Sequence, residues 1–220
     1  MLNFSASEEN YLKTIFHLQT KDDNVTTNEL AEKLQAKPAS ITDMMKKLKA
    51  RKLVNYQPYQ GFRLTAEGRK IALSIIRRHR LWEFFLAEKL KFNWDEVHEV
   101  AEQLEHVSSK KLIDKLDEYL AFPKFDPHGD PIPDTNGKME TGKQINLSEL
   151  QLNKTARICH IVDQSAGLLE HLQEKKINIG SSVIIKRKFT YDDSLEIKLD
   201  NKQLTTITGQ LAKNIFVKHG

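Results

Sequence analysis

Residues 26–51 constrain this chain more than any other stretch. Thr26 or Thr27 can cap a short helix over residues 28–34, with Leu30, Ala31 and Leu34 on one face. Residues 35–37 make a tight turn, and Pro38 is suited to be the first residue of a further helix to about Arg51, with Ile41, Met44, Met45 and Leu48 turned inward. Two short helices about a tight turn, the second opening on small polar residues, describe a helix-turn-helix. Residues 53–56 and 62–64 then read as strand-like pieces around residues 57–61, which hold Pro58 and Gly61, so a β-hairpin wing is expected. A preceding helix over residues 7–20 is expected from Ser7 as cap, Glu8 and Glu9 in its first turn, and Tyr11, Leu12, Ile15, Phe16 and Leu18 at helical spacing. Residues 1–72 are therefore expected to be a winged helix.

The pattern then changes twice. A long helix is expected from Thr65 through Ile71, Ile75, Leu81 and Phe85 to about Leu90, a second from Trp94 and Asp95 to about His106, and a third capped by Ser108 or Ser109 through Leu112, Ile113, Leu116 and Leu120. Three helices bearing this much apolar surface suit a dimer, so residues 73–140 are expected to be a helical dimerisation domain. Residues 141–153 read as a linker. Past Lys154 the period becomes alternating: 157–162, 183–191, 195–199 and 205–217 resemble strands, with a short helix over 166–174. Residues 154–220 are expected to form a small β-barrel, which makes the fold class α+β.

Charge separates along the same lines. Residues 1–80 carry 15 Lys and Arg against 8 Asp and Glu, a net +7; residues 81–220 carry 19 against 22, a net −3. A basic head suits a polyanion. In the helix-turn-helix, Lys37, Pro38, Ala39, Ser40, Thr42 and Asp43 lie where side chains can meet base edges in the major groove of double-stranded DNA. Lys46, Lys47, Arg51 and Arg63 are placed to serve phosphates. The other use of such a fold is as a protein-interaction module; the basic head and the wing together favour DNA. The lone Cys159 excludes a disulfide framework, the first ten residues lack signal-peptide character, and no apolar run approaches 18 residues. A cytoplasmic protein without membrane association is expected.

Residues 98–106 hold a second signal. On a helix, His98, Glu102, Glu105 and His106 fall at roughly 0°, 40°, −20° and 80°, opposite an apolar face of Val97, Val100, Ala101, Leu104 and Val107. Glu102, Glu105 and His106 have the i, i+3, i+4 spacing that brings several donors to one ion. His79 and Glu83, at i, i+4 on the preceding helix, offer a second set. A solvated polar face accounts for one such motif alone; two helices with matching donors favour a divalent cation. Oxygen and nitrogen donors without thiolate suit Mn²⁺ or Fe²⁺ better than a structural Zn²⁺ site.

The order of a winged helix, a helix with Arg77-Arg78-His79-Arg80-Leu81, the motif Glu102-x-x-Glu105-His106 and a C-terminal barrel resembles the diphtheria toxin repressor family of metal-dependent regulators over nearly the whole chain. Phe122-Pro123-Lys124-Phe125-Asp126-Pro127-His128-Gly129 resembles the loop of its long manganese-responsive members, which end in a FeoA-like domain. The resemblance implies a first metal site at Asn10, Glu102, Glu105 and His106, with Asn10 where the manganese branch usually has Asp and the iron branch Met. Lys13 stands where some short members have a further acidic residue, so it is left out of the ligands. The resemblance implies a second site at Glu83, Asp126, His128 and Asp163, to which His79 and His98 belong in the iron branch. A carboxylate at 102, where the iron branch usually has Cys, implies Mn²⁺, with Fe²⁺ as the alternative and Zn²⁺ or Co²⁺ as ions such a site accepts in vitro. The implied function is metal-dependent repression of metal-homeostasis genes by a homodimer on a palindromic operator. Paired Glu and His on helices also build di-metal carboxylate enzymes, but those draw on four helices and this chain has no matching second Glu-x-x-His, so no enzyme is expected.

Overall fold

The computed structural model describes residues 4–19, 24–57, 61–94, 96–107, 109–140, 142–200 and 203–219. Pro58 of the wing turn, Asp95 at a helix start and Ser108 as a cap lie outside the described residues. The chain divides into two units. One comprises Met1–His79, Gln103–Lys110 and Pro133–Lys138; the other comprises Arg80–Glu102, Lys111–Ile132 and Met139–Gly220.

The first unit opens with α1 (Ala6–Leu18). Its cap is Ser5 rather than Ser7, because Ser5 is extended, its hydroxyl accepts the Glu8 N–H, and the Glu8 carboxylate returns the bond to the Ser5 backbone. The same reciprocal box, Thr26 with Glu29, starts α2 (Thr27–Lys33). Pro38 heads α3 (Pro38–Ala50) as expected. The wing is the antiparallel pair β1 (Val54–Gln57) and β2 (Gly61–Leu64), with Tyr56 opposite Phe62. Val25 exchanges two backbone hydrogen bonds with Phe62, and a Cβ on Gly61 would lie 2.5 Å from the Val25 oxygen. Leu12, Ile15, Leu30, Ile41, Met45, Leu48, Leu53 and Ile75 are buried together. Each such side chain contributes about 1.5–3 kcal/mol by leaving water, so this cluster holds α1, α3 and the wing to the start of α4 (Ala66–Glu88).

In the second unit, Leu81, Ile113, Leu116, Leu120 and Ile132 form a small core, with Ile113, Leu116 and Leu120 on or just past α6 (Lys110–Tyr119). The other helix of the central region, α5 (Val97–Val107), contributes its first six residues to this unit and its remainder to the first. Leu112, Tyr119, Phe122 and Phe125 stay exposed.

The stretch expected to be a linker is partly built in. Residues 145–149 form the short strand β3 (Ile145–Asn146) and a 3-10 turn, and Leu147 and Leu150 are fully buried in the C-terminal core. The remaining strands are β4 (Thr155–Ile161), β5 (Ser182–Lys188), β6 (Leu195–Leu199), β7 (Gln203–Ile207) and β8 (Ile215–His219), with α7 (Ala166–Glu174) after β4. The single strand expected over 205–217 is broken because Thr208 caps α8 (Gly209–Lys213) and Gly209 sits against Asp193, where a Cβ would meet Asp193 at 2.6 Å. All pairings are antiparallel, in the order β3-β8-β4-β5-β6-β7, so the described strands make an open sheet with β3 and β7 at its edges; the expected closure into a barrel is not made by these pairs. Among the described residues, no helix is long and apolar enough to cross a membrane.

Candidate metal centre

Two clusters of donors form, one in each unit. In the first, α1 meets the last turn of α5. Glu105 is completely buried and both of its oxygens are held: Oε1 accepts from Lys13 Nζ at 2.7 Å, and Oε2 lies 2.6 Å from His79 Nδ1. Burial pushes this carboxyl's pKa up, but His79 and Lys13 outweigh it and hold the pKa below its ordinary value. His106 Nδ1 lies 2.7 Å from Glu9 Oε2, and Glu9 Oε1 accepts from Arg78 at 2.6 Å.

A carboxylate only accepts, so the Glu9 contact fixes the proton on Nδ1 and leaves the His106 Nε2 lone pair available. That Nε2 is buried, without a hydrogen-bond partner, 3.5 Å from Glu105 Oε1. The side-chain oxygen of Asn10 is likewise buried without a hydrogen-bond partner. Burying such acceptors unpaired costs roughly 1–3 kcal/mol each, a cost that coordination to a cation would remove. Glu102 is half-buried on α5, one turn before Glu105.

The second cluster joins α4 to the loop after α6. Glu83, Asp126 and His128 are all buried, with a donor atom from each within 4.8 Å of the others. Burial, then the charges of Glu83 and Asp130, push the Asp126 carboxyl well above its usual range, against the opposing charge of Arg80 at 3.6 Å. His128 Nε2 faces the Trp94 carbonyl at 3.3 Å, so it must carry the proton, and its buried Nδ1 is left without a hydrogen-bond partner. Burial lowers the His128 pKa, against the raising effect of Glu83. His98 Nδ1 lies 3.2 Å from Glu83 Oε1 at the open side. Asp163 is not among these three: it is exposed and accepts the Ser165 N–H at the start of α7.

The loop is stitched down from within by Asp126 and from outside by side chains beyond the expected ligand set. Asp126 Oδ1 accepts the N–H groups of His128 and Asp130. Asp130 is bound by Arg80 at 3.0 Å and Gln164 at 2.7 Å, with His160 at 3.5 Å, and although burial opposes it these partners hold its carboxyl at a pKa of about 2. The Ile161 N–H donates to the His128 carbonyl, beside an irregularity in β4 between Ile158 and His160. Glu9, Lys13, Asp130 and Trp94 carried no motif spacing, and Arg80 stood in the Arg77–Leu81 motif without a role of its own; the long-range contacts give each its part.

On the winged helix, Lys37, Pro38, Ala39, Ser40, Thr42, Asp43, Lys46 and Lys47 are exposed along one end and side of α3, and Arg63 is exposed on β2. Lys37 caps α3 without a side-chain bond, which leaves the first N–H groups of the helix open to an anion. Arg51 is half-buried and committed to Glu8 at 2.6 Å, while Lys46 pairs with Asp43 at 3.1 Å.

Residues 3–62 match the family described as iron dependent repressor, N-terminal DNA binding domain; residues 65–134 match iron dependent repressor, metal binding and dimerisation domain; residues 145–219 match the FeoA domain. The chain is 32% identical over 152 residues to the HTH-type transcriptional regulator MntR of Oceanobacillus iheyensis, covering 69% of this chain and 97% of the relative. It is 30% identical over 195 residues to the diphtheria toxin repressor of Corynebacterium glutamicum, covering 84% and 86%. The solved structure of a manganese-dependent transcriptional repressor in complex with manganese superposes with a TM-score of 0.87 at 32% identity, covering 96% of this chain and 99% of that one.

Proposed function

The chain belongs to the diphtheria toxin repressor family of metal-dependent transcriptional repressors, which are regulators and not enzymes, and from that premise we propose that it is a Mn²⁺-activated cytoplasmic repressor that binds a palindromic operator as a homodimer to control metal homeostasis. The observation that carries the reading is the buried His106 Nε2, without a hydrogen-bond partner and 3.5 Å from the buried Glu105 carboxylate, together with a second buried acceptor without a hydrogen-bond partner, Asn10 Oδ1, on α1. Asn10, Glu102, Glu105 and His106 would hold the first ion; Glu83, Asp126 and His128 would hold the second, with His98 at its rim and Asp163 and His79 as further donors. A bound Mn²⁺ supplies positive charge that satisfies oxygen and imidazole donors together.

The chain's own residues do the rest. Asn10 lies on α1, whose Glu8 grips Arg51 at the end of α3. Glu105 and His106 lie on the last turn of α5, so donors from α1 and α5 that close on one ion fix α1, and through Glu8 they fix the helix that carries Lys37 to Lys47. Operator and ion affinities are then reciprocally coupled, by about 1–3 kcal/mol. Exposed Leu112, Tyr119, Phe122 and Phe125 supply apolar surface for a second copy.

Asn10 favours one second reading, a response to Fe²⁺, or to Zn²⁺ or Co²⁺ in vitro, because its carbonyl adds no charge to the first site. Operator binding followed by fluorescence anisotropy, titrated with Mn²⁺, Fe²⁺, Zn²⁺ and Co²⁺ at controlled free concentrations, decides between them. Activation by Mn²⁺ at the lowest free concentration relative to its cellular supply supports the proposal. Operator binding of full strength without any metal overturns it.

A further inference from the structure

The first cluster holds a cation of its own. Lys13 lies on α1 one turn beyond Asn10, its side chain is only 12% exposed, and its Nζ is 2.7 Å from Glu105 Oε1. The other oxygen, Oε2, is taken by His79. The unpartnered His106 Nε2 faces Oε1 at 3.5 Å, so the oxygen nearest the open imidazole nitrogen is the one the ammonium occupies. We propose that Lys13 is the counter-ion of Glu105 in the metal-free protein, and that a divalent cation loads the first site by displacing the Lys13 ammonium from Glu105 Oε1. Lys13 thereby sets the free-ion concentration at which the repressor responds. The proposal rests on the reading of Asn10, Glu105 and His106 as an ion site.

The physical reason is that a buried carboxylate left uncompensated is strongly unfavourable. A resident ammonium therefore stabilises the metal-free state, and every entering ion must forgo that stabilisation. It must also leave a displaced ammonium, on a short tether, close to a dication. Because Lys13 and Glu105 come from α1 and α5, the ammonium keeps these two helices joined without metal. The switch is an exchange of one bridge for another rather than the ordering of a loose helix.

The test is Mn²⁺ binding by isothermal titration calorimetry to the full chain, with His106→Ala marking which heat belongs to the first site. Lys13→Gln is expected to bind Mn²⁺ about tenfold tighter at that site, and Lys13→Arg to stay within about threefold of the unmodified protein. In parallel, the ammonium nitrogen of Lys13 is followed by NMR with diamagnetic Cd²⁺: a protected signal in the metal-free protein should disappear at saturation. Unchanged or weaker binding by folded Lys13→Gln overturns the proposal, as does a Lys13 signal that persists at saturating Cd²⁺; the NMR arm needs no variant to fold. Mn²⁺ stoichiometry unaltered by His106→Ala instead overturns the site reading itself, a result separable from any behaviour of Lys13.

Discussion

The imidazole of His128 lies parallel to the indole of Trp94, ring centroids 5.5 Å apart and planes 6° apart, and its Nε2 meets the Trp94 carbonyl at 3.3 Å. The Trp94 indole N–H in turn donates to the Pro127 carbonyl at 3.1 Å. One residue thus fixes the ring's plane, its tautomer and the preceding turn of backbone, and it leaves the buried Nδ1 as the nitrogen without a hydrogen-bond partner. His128→Gln keeps most of the volume and removes this nitrogen. Mn²⁺ uptake at the second cluster, measured by equilibrium dialysis, is expected to weaken by about tenfold or more; undiminished uptake would take His128 out of the ligand set.

At the first cluster, His106→Ala removes the open Nε2 while leaving Glu105 paired with Lys13 and His79. The helices should remain folded by circular dichroism. The gain in operator affinity on adding Mn²⁺, about 5–150-fold for a coupling of ordinary size, should vanish in an anisotropy titration.

Lys46 is exposed and pairs only loosely with exposed Asp43, an arrangement of little energetic value to the fold. Lys46→Ala should leave stability within about 0.5 kcal/mol. It should lower operator affinity evenly across sequences and reduce the slope of log affinity against log salt by about one. A changed base preference with an unchanged slope would assign Lys46 to reading bases instead.

Glu8 ties α1 to α3. Burial would raise its pKa, but the Ser5 N–H and the Arg51 guanidinium lower it from 4.5 to about 2. A carboxyl depressed on folding adds stability above its unfolded pKa and loses it as pH falls through the folded value. Glu8→Gln, which keeps the capping bond, should therefore cost about 2 kcal/mol near neutral pH. In urea titrations the difference from the unmodified protein should shrink as the pH drops from 4.5 toward 2; a constant difference would mean that the charge is not its cause.

Gly129 has φ +88°, and a Cβ there would lie 1.9 Å from the Cys159 carbonyl oxygen. Gly129→Ala must push the 126–130 loop off β4, with an expected loss of about 3 kcal/mol and of Mn²⁺ uptake at the second cluster. Unaltered melting and uptake would show that the loop has room to move.

The sequence by itself determined the winged helix, the long α4, the helical spacing of Glu102, Glu105 and His106, and the alternating strands of the C-terminal region. Each of these rests on short-range periods, capping residues or Pro and Gly punctuation, which act within a few residues. It misplaced the α1 cap by two residues because Ser5 and Ser7 both precede Glu8 and Glu9, and only the closed Ser5–Glu8 bond distinguishes them. It ran β7 and β8 together because the α8 turn is set by the Thr208 cap and by Gly209 against Asp193. Tertiary structure alone decided that Leu147 and Leu150 are core rather than linker, that Glu9 orients His106, and that Lys13 reaches Glu105 across 92 residues of chain. Local pattern tells which residue types share a face. Which buried acceptor goes without a partner depends on long-range packing, and that is where the chemistry of this protein resides.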